Sequence, residues 1–179
     1  MWQTKSLRQR TPVSDALARA LPQAQVPLAR GLSASAREGV PLSAKFEIDD
    51  GVFQLSVYTM SGDDFSEVIV DYATGAVAKV TRITSAADLS AAEAQRDAMI
   101  KATFSLVAAV VEAERANSGY RAVSVTPRVV DAHPLAEVTL VYVTRRGSST
   151  CRTKPASTMA RYSWWSASAS AASYSSSVR

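Results

Sequence analysis

One cysteine and one histidine stand in 179 residues. Cys151 has no partner for an intrachain disulfide and carries no information on redox compartment. His133, without a second histidine or a cysteine in the patterned part of the chain, cannot assemble a zinc site. Long apolar runs are missing too: the longest, 106–111, falls far short of the roughly 20 residues that cross a bilayer. Glycines are few and single, and those at 39, 51, 62, 75 and 119 mark the ends of patterned segments. None forms a phosphate-cradling loop or a Gly-x-Ser-x-Gly elbow. Residues 1–11 are basic and polar without an apolar centre, so no secretory leader is legible there. Acids stop after Glu137, and residues 144–179 hold six Lys/Arg and no Asp or Glu.

That last absence decides how the charge is read. The chain carries a formal +4, yet residues 1–143 hold fourteen cations against sixteen acids, a net of −2. The basic character belongs to the tail and to Lys5, Arg8 and Arg10. A nucleic-acid surface places its cations on the folded element that docks, so no nucleic-acid partner is expected.

What is present is strand pattern. Ala44, Phe46 and Ile48 alternate with Lys45, Glu47 and Asp49, and Phe53, Leu55 and Val57 with Gln54, Ser56 and Tyr58. Each run has one dry and one wet face. Asp49-Asp50-Gly51, Ser61-Gly62-Asp63-Asp64 and Asp71-Tyr72-Ala73-Thr74-Gly75 are turn chemistry. With 65–70 and 76–83 they predict four strands, and connections this short make them antiparallel neighbours. A helical segment, 28–38, precedes them. A shorter one is expected over 11–21, limited by Pro22 and Pro27.

Helix, strand, turn and strand then recur. Ser90-Ala91-Ala92-Glu93 reads as a capping box, and no Gly or Pro interrupts the chain from there to Asn117. Ile100, Phe104, Val107 and Val111 form the expected core stripe of one long helix. Strands are expected over 120–126, with Val123 and Val125 inward, and 136–143, with Val138, Leu140 and Tyr142 inward. The turn Asp131-Ala132-His133-Pro134 lies between them.

The helix followed by four strands, with Val70, Asp71, Thr74, Gly75 and Val77 in a Val-Asp-x-x-Thr-Gly-x-Val arrangement, resembles the PepSY domain. The resemblance covers residues 28–143 and is strongest over 40–83. It implies an α+β fold of two PepSY-like units, each a helix packed on one face of a short antiparallel sheet. Residues 1–11 are then a disordered basic leader, 12–83 the first unit, and 84–143 a second, incomplete unit of a long helix and two strands. Residues 144–179 read as a disordered or out-of-frame tail. The strand over 136–143 is left with an unpaired edge through which the chain would self-associate.

The resemblance also implies a non-enzymatic bacterial module, exported to the periplasm or secreted, that binds and inhibits or regulates a peptidase or other envelope protein. With no leader legible, a cytoplasmic location stays open. The alternative is a binder of a small molecule or envelope component in a helix–sheet cavity. The family carries no catalytic residues, and no catalytic, cofactor or metal residue is assigned. His133 beside Asp131 has no nucleophile elbow. Asp49-Asp50 and Asp63-Asp64 lack the spacing of a calcium loop and serve turns. Cys151 has no base beside it.

The alternation makes one sharp prediction about register. Leu55→Ala is expected to cost about 2–5 kcal/mol in a denaturant titration. A loss under about half a kilocalorie would place Leu55 on the solvent face, where a one-residue slip puts it.

Overall fold

The computed structural model describes residues 15–142 and the backbone of 158–163. Seven strands, β1 Val40–Asp49, β2 Val52–Ser61, β3 Asp64–Val70, β4 Val77–Arg82, β5 Tyr120–Val130, β6 His133–Tyr142 and β7 Thr158–Ser163, form one antiparallel sheet. Their order is β4-β3-β2-β1-β5-β6-β7. The helices are α1 Asp15–Ala20, α2 Leu28–Ser35, α3 Ala86–Lys101 and α4 Leu106–Ala116, with a 3₁₀ turn Leu21–Gln23 after α1. The class is α+β, as expected. The two expected sheets are one sheet, and a single main core contains residues of both halves.

The alternation read from the sequence sets the register of the first half. Phe46 lies opposite Leu55, and Ala44 opposite Val57. Leu55 and Val57 in turn face Val70 and Val68 of β3. All six are buried, Leu55 and Val57 completely. Each such side chain removed from water stabilises the fold by roughly 1.5–3 kcal/mol.

The first hairpin is repeated in the second half. Asp50-Gly51 joins β1 to β2 with φ of 46° and 79°, and Asp131-Ala132 joins β5 to β6 with φ of 50° and 66°. Positive φ at both central residues is the type I′ turn that matches the twist of a hairpin. Leu42 is an extra residue that shifts the β1–β2 register, and Val123 does the same in β5–β6. Ala44 pairs with Val125 where the halves meet. The steps 42 to 123, 44 to 125 and 50 to 131 are all 81 residues, so an approximate two-fold passes between Ala44 and Val125. Helices α2 and α4 precede the two hairpins and pack on each other across that axis.

Several expectations need correction. The turn 131–134 is two residues, not four: His133 and Pro134 already belong to β6, and β5 runs on through Pro127 to Val130. Pro127 is tolerated because β1 pairs with β5 only at Ala44–Val125 and Lys45–Ser124, so no ladder on that side requires its missing N–H. Tyr142, expected inward, is 43% exposed and lies edge-on to Tyr120.

The long helix is two helices. Ser85, not Ser90, caps α3, accepting from the Asp88 amide at 3.3 Å. Ser105 then caps α4, accepting from the Ala108 amide at 3.2 Å. This restart rotates the buried face to Leu106, Ala109, Val110 and Ala113. Of the expected stripe, Ile100, Phe104 and Val111 are exposed, and Val107 is half-buried against the core. Helix α3 covers a second, smaller cluster of Leu42, Phe65 and Ala92. Phe65 faces Met60 one step out of phase with Val57 and Val68, which puts this cluster on the reverse face of the sheet.

The tail supplies a strand. β7 pairs with β6 from Leu140–Thr158 to Leu135–Ser163. The second half therefore has a third strand, and the edge expected to be free for self-association is covered over 135–140. The free edges of the described sheet are β4 and β7. Composition concealed this strand, because ladder bonds come from the backbone and Ser-rich sequence can still supply them. The remaining tail residues, and the leader at 1–11, lie outside the described residues.

The two type I′ turns differ in one residue that carries an energetic consequence. Gly51 adopts positive φ freely, whereas Ala132 brings its Cβ against the following carbonyl. Ala132→Gly is expected to stabilise the protein by about 0.5–1 kcal/mol, and Gly51→Ala to destabilise it by a similar amount. Melting temperatures should move in opposite directions, by about 1–4 °C each. A fall with Ala132→Gly would show that the second hairpin is not a type I′ turn.

Candidate functional site

The residues whose chemistry drew attention in the sequence do not converge. His133 opens β6 at the exposed hairpin tip, and Asp131 occupies the turn beside it. Asp49 and Asp50 end the opposite tip. Asp64 begins β3 and pairs with Arg82 at the end of β4, closing that hairpin. Cys151 lies outside the described residues. Among the described residues no three His, Cys, Asp or Glu side chains gather as a metal ion requires.

Three polar constructions stand on the fold instead. The first lies on the sheet face turned away from Phe46 and Leu55. Lys45 Nζ pairs with Glu47 at 2.6 Å, and the Ser56 hydroxyl donates to Glu47 Oε1 at 2.6 Å. Gln54 donates to Glu47 at 3.3 Å and to Ser56 at 3.1 Å. The Lys45 ammonium also lies 5.6 Å from the centre of the Tyr58 ring. Burial alone would raise the pKa of Glu47, but the bonds from Lys45 and Ser56 prevail and hold it below the usual carboxylate range. For Lys45, burial works downward and the bond to Glu47 prevails, leaving the pKa raised. Every group here is satisfied by a neighbour, the arrangement of a structural network.

The second ties the N-terminal segment to both halves. The Arg121 guanidinium donates to the carbonyls of Ala24 at 2.7 Å, Val26 at 2.5 Å and Leu21 at 3.4 Å, and lies 5.2 Å from the centre of the Phe46 ring. Burial lowers its pKa, and Glu114 works in the opposite sense. From the other side, the Tyr72 carbonyl accepts from the amides of Gln25 at 2.9 Å and Val26 at 3.1 Å. Tyr72 is presented by the Asp71–Gly75 turn. There Asp71 Oδ1 accepts from the Thr74 amide at 2.6 Å, the Thr74 hydroxyl at 2.9 Å and the Ala73 amide at 2.9 Å. The Thr-Gly part of the motif is thus a backbone clamp.

The third is a cleft of about 370 Å³ between α2 and the start of β4, lined by Arg30, Ser33, Ala34, Arg37, Glu38 and residues 75–77. Its floor is set by close packing. Gly31 on the buried side of α2 lets the helix approach Leu55 so nearly that an added Cβ would sit 2.6 Å from Leu55 Cδ2. On the outer side, a Cβ on Gly75 would meet Arg30 Cγ and Nε at 3.4 Å. Arg30, Arg37, Val77 and Val80 are exposed. Val77 stood out only as part of the Thr-Gly motif, and the arginines went unremarked, because two arginines seven apart look like ordinary solvated charges. Their seven-residue spacing, which repeats one helix face, was the available signal.

Compared with known proteins, the chain matches no family model, no curated protein and no solved structure.

The clamp makes a pH-dependent prediction. Hydrogen bonds from the Thr74 amide and hydroxyl, then from the Ala73 amide, lower the pKa of Asp71 in the fold. A carboxylate depressed on folding contributes stability above its unfolded pKa, near 4, and loses it as the pH falls through the folded value. Asp71→Ala should therefore melt below the unaltered protein at pH 7, and the gap should close as the pH is lowered toward 3. A gap that is constant with pH would mean the carboxylate charge has no part in the clamp.

Proposed function

We propose that this chain is a non-enzymatic, PepSY-like module that binds, and inhibits or regulates, a peptidase or another envelope protein. The observation that carries the reading is β4, whose six residues are all exposed and whose outer edge no described strand covers. A free edge is a template on which an extended segment of another protein can add as a strand. The two helix–hairpin halves sharing one register support the likeness to tandem PepSY units. The periplasmic or secreted location rests on the resemblance alone. The small-molecule alternative asks for a cavity under the helix; the close approach of Gly31 to Leu55 fills that place, and the space that exists is the cleft at the rim beside β4.

The direct test is titration of the purified chain into a thermolysin-type metallopeptidase, following casein hydrolysis and complex formation by calorimetry. Saturable binding with a fall in peptidase rate is expected, with the chain itself left uncleaved. An unchanged rate and no heat of binding, across a panel of secreted peptidases at large molar excess, would overturn the proposal.

A further inference from the structure

We infer, resting on the edge-binding reading above, that the groove between α2 and β4 takes an extended acidic segment of another protein, which adds as a strand to β4 and sets carboxylates on Arg30 and Arg37. Backbone parity supplies the first half of this. The Ile83 amide donates to the Phe65 carbonyl at 2.9 Å, so Phe65 and Ile83 form a hydrogen-bonded pair. Bonded and non-bonded pairs alternate along an antiparallel ladder, so Thr81 and Lys79 also bond to β3. Val80 and Arg82 then turn their N–H and C=O groups outward, where an added strand bonds.

Side chains supply the second half. Val80 lies opposite Val68, and Val77 opposite Val70, on the sheet face that α2 covers. Both remain exposed, Val80 by 45% and Val77 by 36%. Alternate side chains of an added strand would point into the same groove, over these valines and beside Ala34. Arg30 stands on α2 and Arg37 on the turn that follows, about 10 Å apart along the helix direction. Alternate residues of a strand are about 7 Å apart, a mismatch that long arginine side chains span. Two carboxylates at positions i and i+2 can thus meet both guanidinium groups, which a single terminal carboxylate cannot.

Charge selects the occupant. Among the described residues neither Arg30 nor Arg37 has an ion pair, whereas Arg82 already holds Asp64. Glu38 lines the far end of the cleft, so the lining keeps one net positive charge, and Lys79 on β4 adds another. A second copy docking β4 against β4 would bring these cations together, which is unfavourable. An acidic strand meets the opposite situation, and charge-assisted pairs to arginine are stronger than neutral ones.

The test is fluorescence anisotropy on the full chain with a labelled peptide Thr-Val-Glu-Val-Glu-Val-Thr blocked at both ends. Binding is expected to weaken about tenfold or more in Arg30→Gln/Arg37→Gln, and equally when both peptide Glu residues become Gln. Val80→Pro, which removes one outward N–H, should weaken it in the same way, with melting temperatures checked for all variants. Binding that survives both sets of changes would overturn the assignment. So would binding seen only when the same peptide is left unblocked at its C-terminus, or a wild-type homodimer in sedimentation that Val80→Pro dissolves. The two readings fail separately. Peptidase inhibition undiminished by these variants sinks the groove and leaves the module standing. Peptide binding without any peptidase partner does the reverse.

Discussion

Two residue pairs join the halves of this sheet. Only Ala44–Val125 and Lys45–Ser124 connect β1 to β5, whereas β1–β2 and β5–β6 each pair along nearly their whole length. A ladder this short cannot hold two sheets together by backbone bonds, each of which contributes about 1 kcal/mol net. The union depends on what crosses the junction. On one face α2 and α4 pack against each other over a core shared by both halves. At one end Arg121, from β5, holds three carbonyls of the N-terminal segment while its guanidinium lies over Phe46 of β1. Helix α3 contacts β1, β5 and β6, so it too spans the seam.

This junction determines what the outer strands are free to do. Because the first strand of each half is consumed in the union, the strands left at the rims are β4 and β7. Helix α2, drawn onto the sheet by Gly31 and toward α4, covers the central strands and stops short of β4. The groove beside β4 follows from that placement. The same packing leaves Arg30 and Arg37 on the outer side of α2, where the Gly75 backbone approaches Arg30 closely enough to shape the cleft.

The legible parts of the fold were those written in local pattern. Period-two alternation and Asp50-Gly51 revealed the first hairpin, its register and its buried face, because side chains on a strand report burial residue by residue. The break between α3 and α4 was hidden because no Gly or Pro marks it. Helix α3 stops at Lys101, and the Ser105 hydroxyl caps the start of α4; a serine after Phe104 is a weak signal. The seventh strand was hidden because its register is a property of the backbone and Thr158–Ser163 sits in a tail rich in serine and arginine. Arg121 joins residues almost a hundred positions away, a relation no local pattern encodes. The cleft arises from two elements, α2 and the Thr74-Gly75 corner, that only the folded sheet brings together.

Peptide-resolved hydrogen exchange on the unaltered chain and on Val125→Ala tests the junction most directly. If the halves are one cooperative unit, amides of β2 around Val57 and of β6 around Val138 open with the same free energy. Val125→Ala, which leaves a cavity at the seam, should then lower both by the same amount, about 1–3 kcal/mol. Exchange in β6 that falls while β2 keeps its protection would contradict the account, since the halves would then fold as separate bodies that merely touch.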